Sequence, residues 1–105
     1  MTKQTITQSL NNITAQLIQK YKPEKIILFG SAVWGEDEVN DIDLLIIKSD
    51  TPYYGADRMR ELDRLIKRDV AADMLVYRPE EIKERLELGD PFIKKIFKEG
   101  VVLYG

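Results

Sequence analysis

Apolar residues fall into short, distinct periods along the chain. Ile6, Leu10, Ile13 and Leu17 step by four, three and four, which is one face of an amphipathic helix ending near Tyr21–Pro23. Lys25 to Phe29 reads as a buried strand closed by Gly30-Ser31. A polar stretch from Glu36 to Asn40 leads into Asp41-Ile-Asp-Leu-Leu-Ile-Ile47, acidic at its start and apolar after it, a second buried strand. Lys48 to Tyr54 carries Ser, Asp, Thr and Pro and reads as a loop. Ala56 to Arg68 is expected to form a charged helix with Met59, Leu62, Leu65 and Ile66 on its inner face. Val70 to Tyr77 is a third strand. Pro79 suits the first turn of a short helix, and Glu80 and Glu81 suit its positive end. Asp90-Pro91 opens a last helix, with Phe92, Ile93, Ile96 and Phe97 expected inward, and Gly100 ends it. Val101 to Tyr104 forms a terminal strand.

This order, α-β-β-α-β-α-α-β, alternates only in part, so the expected class is α/β (α+β): a small mixed β-sheet packed with helices. The step from Phe29 to Asp41 covers about a dozen residues without a long helix, which favours antiparallel pairing of the first two strands. A chain of 105 residues is read as a single domain, 1–105. An apolar fraction of 44% with 32% charged residues argues for a folded globular protein.

Charge and composition narrow the chemistry. The 16 basic and 18 acidic residues give a net charge of −2, which argues against duplex DNA as the main partner. With no Cys and no His, sites built on thiolate or imidazole are excluded, and so are Ser-His-Asp and Cys-His catalysis. Any metal must then be held by oxygens, as Mg²⁺, Mn²⁺ and Ca²⁺ are. The aliphatic and aromatic runs are far shorter than the ~20 residues of a membrane span. The N-terminus lacks a signal-like apolar stretch, so no membrane role and a cytoplasmic location are expected.

Asp41 and Asp43 sit two apart at the start of a strand, and so on one face. Two carboxylates leading into an apolar strand repel each other and resist burial, and a bound divalent cation would relieve both problems. Gly30-Ser31 follows the first strand, where backbone amides and a hydroxyl can approach a phosphate. Asp73, inside an otherwise apolar strand, is the candidate third acid, as metal ligand or as base for an acceptor hydroxyl. The basic residues Arg58, Arg60, Arg64, Lys67 and Arg68 alternate with acids and are read as a solvated helix face with i,i+4 pairs. Trp34 is read as packing before base-stacking, and Tyr53-Tyr54 as an exposed partner contact.

The pattern Gly-Ser-x3-Gly-x5-Asp-x-Asp, from Gly30 through Gly35 to Asp41 and Asp43, resembles the minimal nucleotidyltransferases of the DNA polymerase β-like superfamily. It is flanked by Ile-Ile-Leu-Phe and Leu-Leu-Ile-Ile, and the likeness extends over nearly the whole chain. Asn40 and Trp34 stand where Ser and Arg are frequent in the family. The resemblance implies that Gly30 and Ser31 hold a nucleoside triphosphate and that Asp41 and Asp43 bind metal. Asp73 would be the third carboxylate, metal-binding or catalytic. It further implies Mg²⁺ (or Mn²⁺) as cofactor and transfer of NMP, AMP from ATP foremost, to a hydroxyl on a partner macromolecule. Minimal members are often the antitoxin of a pair whose toxin is a small helical HEPN ribonuclease, which makes a HEPN-type protein the expected partner. The alternative is a catalytically weak or inactive antitoxin that works by docking. A homo-oligomer through sheet edges or helices is left open.

Overall fold

In chain order the computed structural model, which describes residues 3–34 and 41–105, runs α1 (Lys3–Gln16), a π-helical turn (Leu17–Tyr21), β1 (Lys25–Phe29), α2 (Ser31–Trp34) and β2 (Asp41–Ile47). It continues with α3 (Gly55–Leu65), β3 (Ala71–Tyr77), α4 (Pro79–Glu87), α5 (Pro91–Glu99) and β4 (Val101–Tyr104). The strands form one mixed sheet in the order β3-β2-β1-β4. β1 runs antiparallel to both β2 and β4, as the short β1–β2 step requires. β2 and β3 are parallel, because α3 supplies the crossover that parallel strands need. No helix among the described residues is long and apolar enough to cross a membrane.

Alternation along the strands divides the core in two. Ile26, Leu28, Ile42, Leu44, Ile46, Met74 and Val76 pack with Ile6, Ile13 and Leu17 of the first helical segment and with Leu62 and Ile66. On the opposite face Ile27, Phe29, Leu45 and Ile47 meet Ile82 of α4 and Ile93 and Ile96 of α5. Burial on both faces explains the unbroken apolar run of β2. Asp41 and Asp43 alternate in phase with Leu45 and Ile47, and Asp73 with Leu75 and Tyr77. All three acids therefore lie on the α4/α5 face, towards the N-terminal ends of β2 and β3.

The structure corrects three expectations. First, α3 stops at Leu65 instead of Arg68, because Ile66 turns extended (φ −110°, ψ 122°) and enters the core. The Gln16 side-chain amide holds the released segment, accepting from Lys67 N at 2.8 Å and donating to Lys67 O at 2.6 Å. Second, Phe92 and Phe97 are not inward: they remain 45% and 39% exposed. A nine-residue helix buries only the narrow Ile93–Ile96 stripe, and both phenylalanines lie off it.

Third, Arg58 is not part of a solvated face; it is 4% exposed. Its Nε donates to Pro52 O at 2.6 Å, and its Nη1 to Val76 O at 2.9 Å and Glu81 Oε1 at 2.8 Å. Nη2 donates to Tyr53 O and to Glu81 Oε2, each at 3.1 Å. One guanidinium thus ties α3, the preceding loop, the end of β3 and the first turn of α4 together. Its bidentate fork on a carboxylate is a geometry that lysine cannot reproduce.

The hydrogen bond from Arg58 holds the Glu81 carboxyl below its ordinary pKa, helped by the Arg78 backbone N–H. That contribution to stability is present above the unfolded carboxyl's pKa and is lost as pH falls through the lower folded value. Arg58→Ala, which strands Glu81 and three backbone carbonyls, is expected to destabilise the protein by about 3–5 kcal/mol in urea unfolding. The cost should shrink in acid, where Glu81 is protonated in both proteins.

Candidate active site

The site starts at the end of β1. Gly30 adopts φ +76°, a left-handed conformation that favours glycine. The chain then makes the single turn of α2, with the Val33 and Trp34 amides donating to Gly30 O at 2.9 and 2.8 Å. A side chain at position 30 would overlap Asp43 Oδ2 and come within 2.9 Å of its Cγ. The missing Cβ of Gly30 is therefore the space in which the Asp43 carboxylate sits.

Strand register assembles the rest. Phe29 stands opposite Asp43 across β1–β2, and Asp43 stands beside Asp73 across β2–β3. Burial, followed by the charges of Asp73 and Asp41, pushes the Asp43 carboxyl above the ordinary aspartate range. A carboxyl–carboxyl hydrogen bond to Asp73 adds to the rise, and the Ser31 backbone N–H opposes it. Asp43 and Asp73, side by side on adjacent strands, form a pair of hard oxygen donors at negative potential. Such a pair suits one side of a hard divalent cation such as Mg²⁺, whose remaining ligands would be water and substrate phosphate.

Of the residues singled out in the sequence, Gly30, Ser31, Asp43 and Asp73 come together. Asp41 lies exposed at the start of β2, in register with Ala71 rather than with another acid. Among the described residues no group of three or more acidic side chains is gathered closely enough to hold a metal. Gly35 and Asn40 lie outside the described residues. Trp34 packs rather than faces the site: its ring lies 6.1 Å from that of Phe29, Lys95 Nζ sits 4.2 Å from its centroid, and its buried indole N–H has no partner.

A cleft of about 490 Å³ opens beside the acid pair, over the edge of β3, lined by Phe29, Asp43, Asp73, Leu75, Phe92 and Arg68 among others. A larger, polar hollow of about 660 Å³ lies between α1 and residues 67–69 and contains none of the three site acids. Phe92 and Arg68 were not anticipated in the site. The signal for Phe92 was present in the Asp90 cap, which puts Phe92 one position, hence about 100° of helix rotation, away from the buried Ile93.

A mixed sheet that carries paired aspartates at adjacent strand starts, beside a glycine-serine turn, has the architecture of a nucleotidyltransferase. The family model described as Polymerase beta, Nucleotidyltransferase matches residues 11–105, and the chain belongs to that family. No curated protein and no solved structure matches the chain.

Since the pKa of Asp43 is raised, folding favours its protonated form. That contribution is complete below the pKa of an unfolded aspartate and is lost as pH rises through the higher folded value. Without divalent ions, Asp43→Asn should therefore raise the melting temperature at neutral pH, and the gain should vanish in acid. Gly30→Ala should instead cost about 2 kcal/mol or more at any pH, from the left-handed backbone and the displaced Asp43 side chain.

Proposed function

We propose that the protein is a Mg²⁺-dependent nucleotidyltransferase that moves NMP, AMP from ATP foremost, onto a hydroxyl of a partner macromolecule. The observation that carries this reading is the Asp43–Asp73 carboxyl pair seated against the vacant side of Gly30. Gly30 and Ser31 hold the triphosphate through the backbone of the turn. Asp41 and Asp43 bind the metal, and Asp73 completes the acidic set. The acceptor oxygen attacks the α-phosphorus, the bond to the β-phosphate breaks, and pyrophosphate leaves. Asp73, the more exposed of the pair, takes the acceptor's proton. Bound Mg²⁺ supplies charge neutralisation for the triphosphate and the leaving pyrophosphate. A cytoplasmic location, where NTP is abundant, is part of this reading.

We further read the chain as the antitoxin of a pair, acting on a small helical HEPN-type partner. Tyr53 and Tyr54, stacked edge-to-face and 73% and 68% exposed, support a protein-contacting role. The same exposed pair favours the second reading, in which docking alone neutralises the partner.

The test is incubation with Mg²⁺, α-labelled NTPs and a host lysate, beside an Asp41→Asn/Asp43→Asn double variant. Label transferred to a protein or RNA by the wild type alone is the expected result. No transfer, with the same partner captured by both proteins, would establish docking without catalysis. In parallel, Mg²⁺ should raise the melting temperature of the wild type and leave that of Asp43→Asn unchanged.

A further inference from the structure

Phe92 is an aromatic side chain left 45% exposed at the first turn of α5, in the cleft that also contains Asp43 and Asp73. It is not loosely held. Its backbone N–H donates to the Asp90 cap at 2.9 Å. Its ring meets the buried Phe29 ring edge-to-face, with centroids 5.5 Å apart and planes at 84°. Phe29 in turn stands opposite Asp43 in the strand register. The ring is therefore fixed relative to the acid pair, yet much of its surface is open.

An exposed, braced aromatic in a largely apolar cleft, with carboxylates at one side that would hold a divalent cation, suits a flat heterocycle whose anionic tail carries that cation. The cleft, about 490 Å³, is within the range of small-molecule sites. Trp34, the other aromatic near the turn, is ill placed for the task, because Lys95 sits over its ring and Phe29 packs against it. We propose that Phe92 is the platform on which the nucleobase of the substrate stacks, with the triphosphate directed towards Gly30 and Asp43. This inference rests on the nucleotide-binding reading above. Stacking recognises a π-face and its area, so the platform favours purine over pyrimidine nucleotides without separating adenine from guanine.

The test compares ATP with inorganic tripolyphosphate, each with Mg²⁺, by titration calorimetry on the wild type, Phe92→Leu and Phe92→Tyr. Leucine keeps the apolar bulk and removes the π-face; tyrosine keeps both. The expected result is ATP binding weakened about 5- to 150-fold in Phe92→Leu and preserved in Phe92→Tyr, with tripolyphosphate affinity the same in all three. Equal ATP affinity in wild type and Phe92→Leu overturns the platform and leaves the nucleotide site standing. Parallel loss of both ligands in Phe92→Leu also overturns it, since the residue would then be structural. A wild type that binds neither ligand overturns the nucleotide reading itself, and the platform with it.

Discussion

Negative charge is concentrated at one end of the sheet, where half-buried Asp43 stands beside Asp73. Asp43 lies on a strand whose following residues are buried on both faces, and parallel pairing sets Asp73 directly beside it. Burial and like charge both oppose ionisation of Asp43, and Gly30 gives up its side chain to make room for the carboxylate. Each of these features is unfavourable for a domain that only needs to fold. A hydrophobic residue at position 43 would extend the Leu45–Ile47 row at no electrostatic cost. The arrangement becomes coherent once a cation and a phosphate-bearing substrate are allowed to occupy the site.

The scaffold around this pair is held by polar clamps as well as by apolar packing. β3 is an edge strand, and an open edge invites pairing with other chains. Here the carbonyls of Ala72 and Val76 accept from Arg68 (3.3 Å) and Arg58 (2.9 Å). These arginines occupy acceptors that an added strand would need, so β3 can carry Asp73 exposed at the sheet margin with its edge blunted. Arg58 also fixes the start of α4, which packs on the same sheet face as the acids. Arg58 thus ties the β3 edge to the first turn of α4.

Much of this was legible in the sequence. The bounds of β1 and β2 follow from continuous apolar runs closed by Gly30 and opened by Asp41, and the antiparallel turn follows from the short connection. Spacing also singled out Gly30, Ser31 and Asp43, which the fold brings together, and Asp41, which stays exposed at the strand start. What local pattern did not reveal was decided by distant partners. Arg58 looks like one charge among many until Glu81, 23 positions on, is folded against it. The end of α3 depends on Gln16, 51 positions before Lys67. Asp73 becomes a neighbour of Asp43 only through the β2–β3 register. Phe92 was misjudged because a short helix has room for a single buried stripe, and aromatic character alone does not place a residue on it.

The proposed binding of a divalent cation with nucleotide would displace the proton that burial and neighbouring charge help Asp43 to keep in mild acid. Its most direct test is calorimetric titration of Mg²⁺–ATP at mildly acidic pH in buffers of different ionisation enthalpy, which counts protons released on binding. The account predicts proton release by the wild type and its loss in Asp43→Asn. Binding without proton release, or equal release by the two proteins, would contradict it.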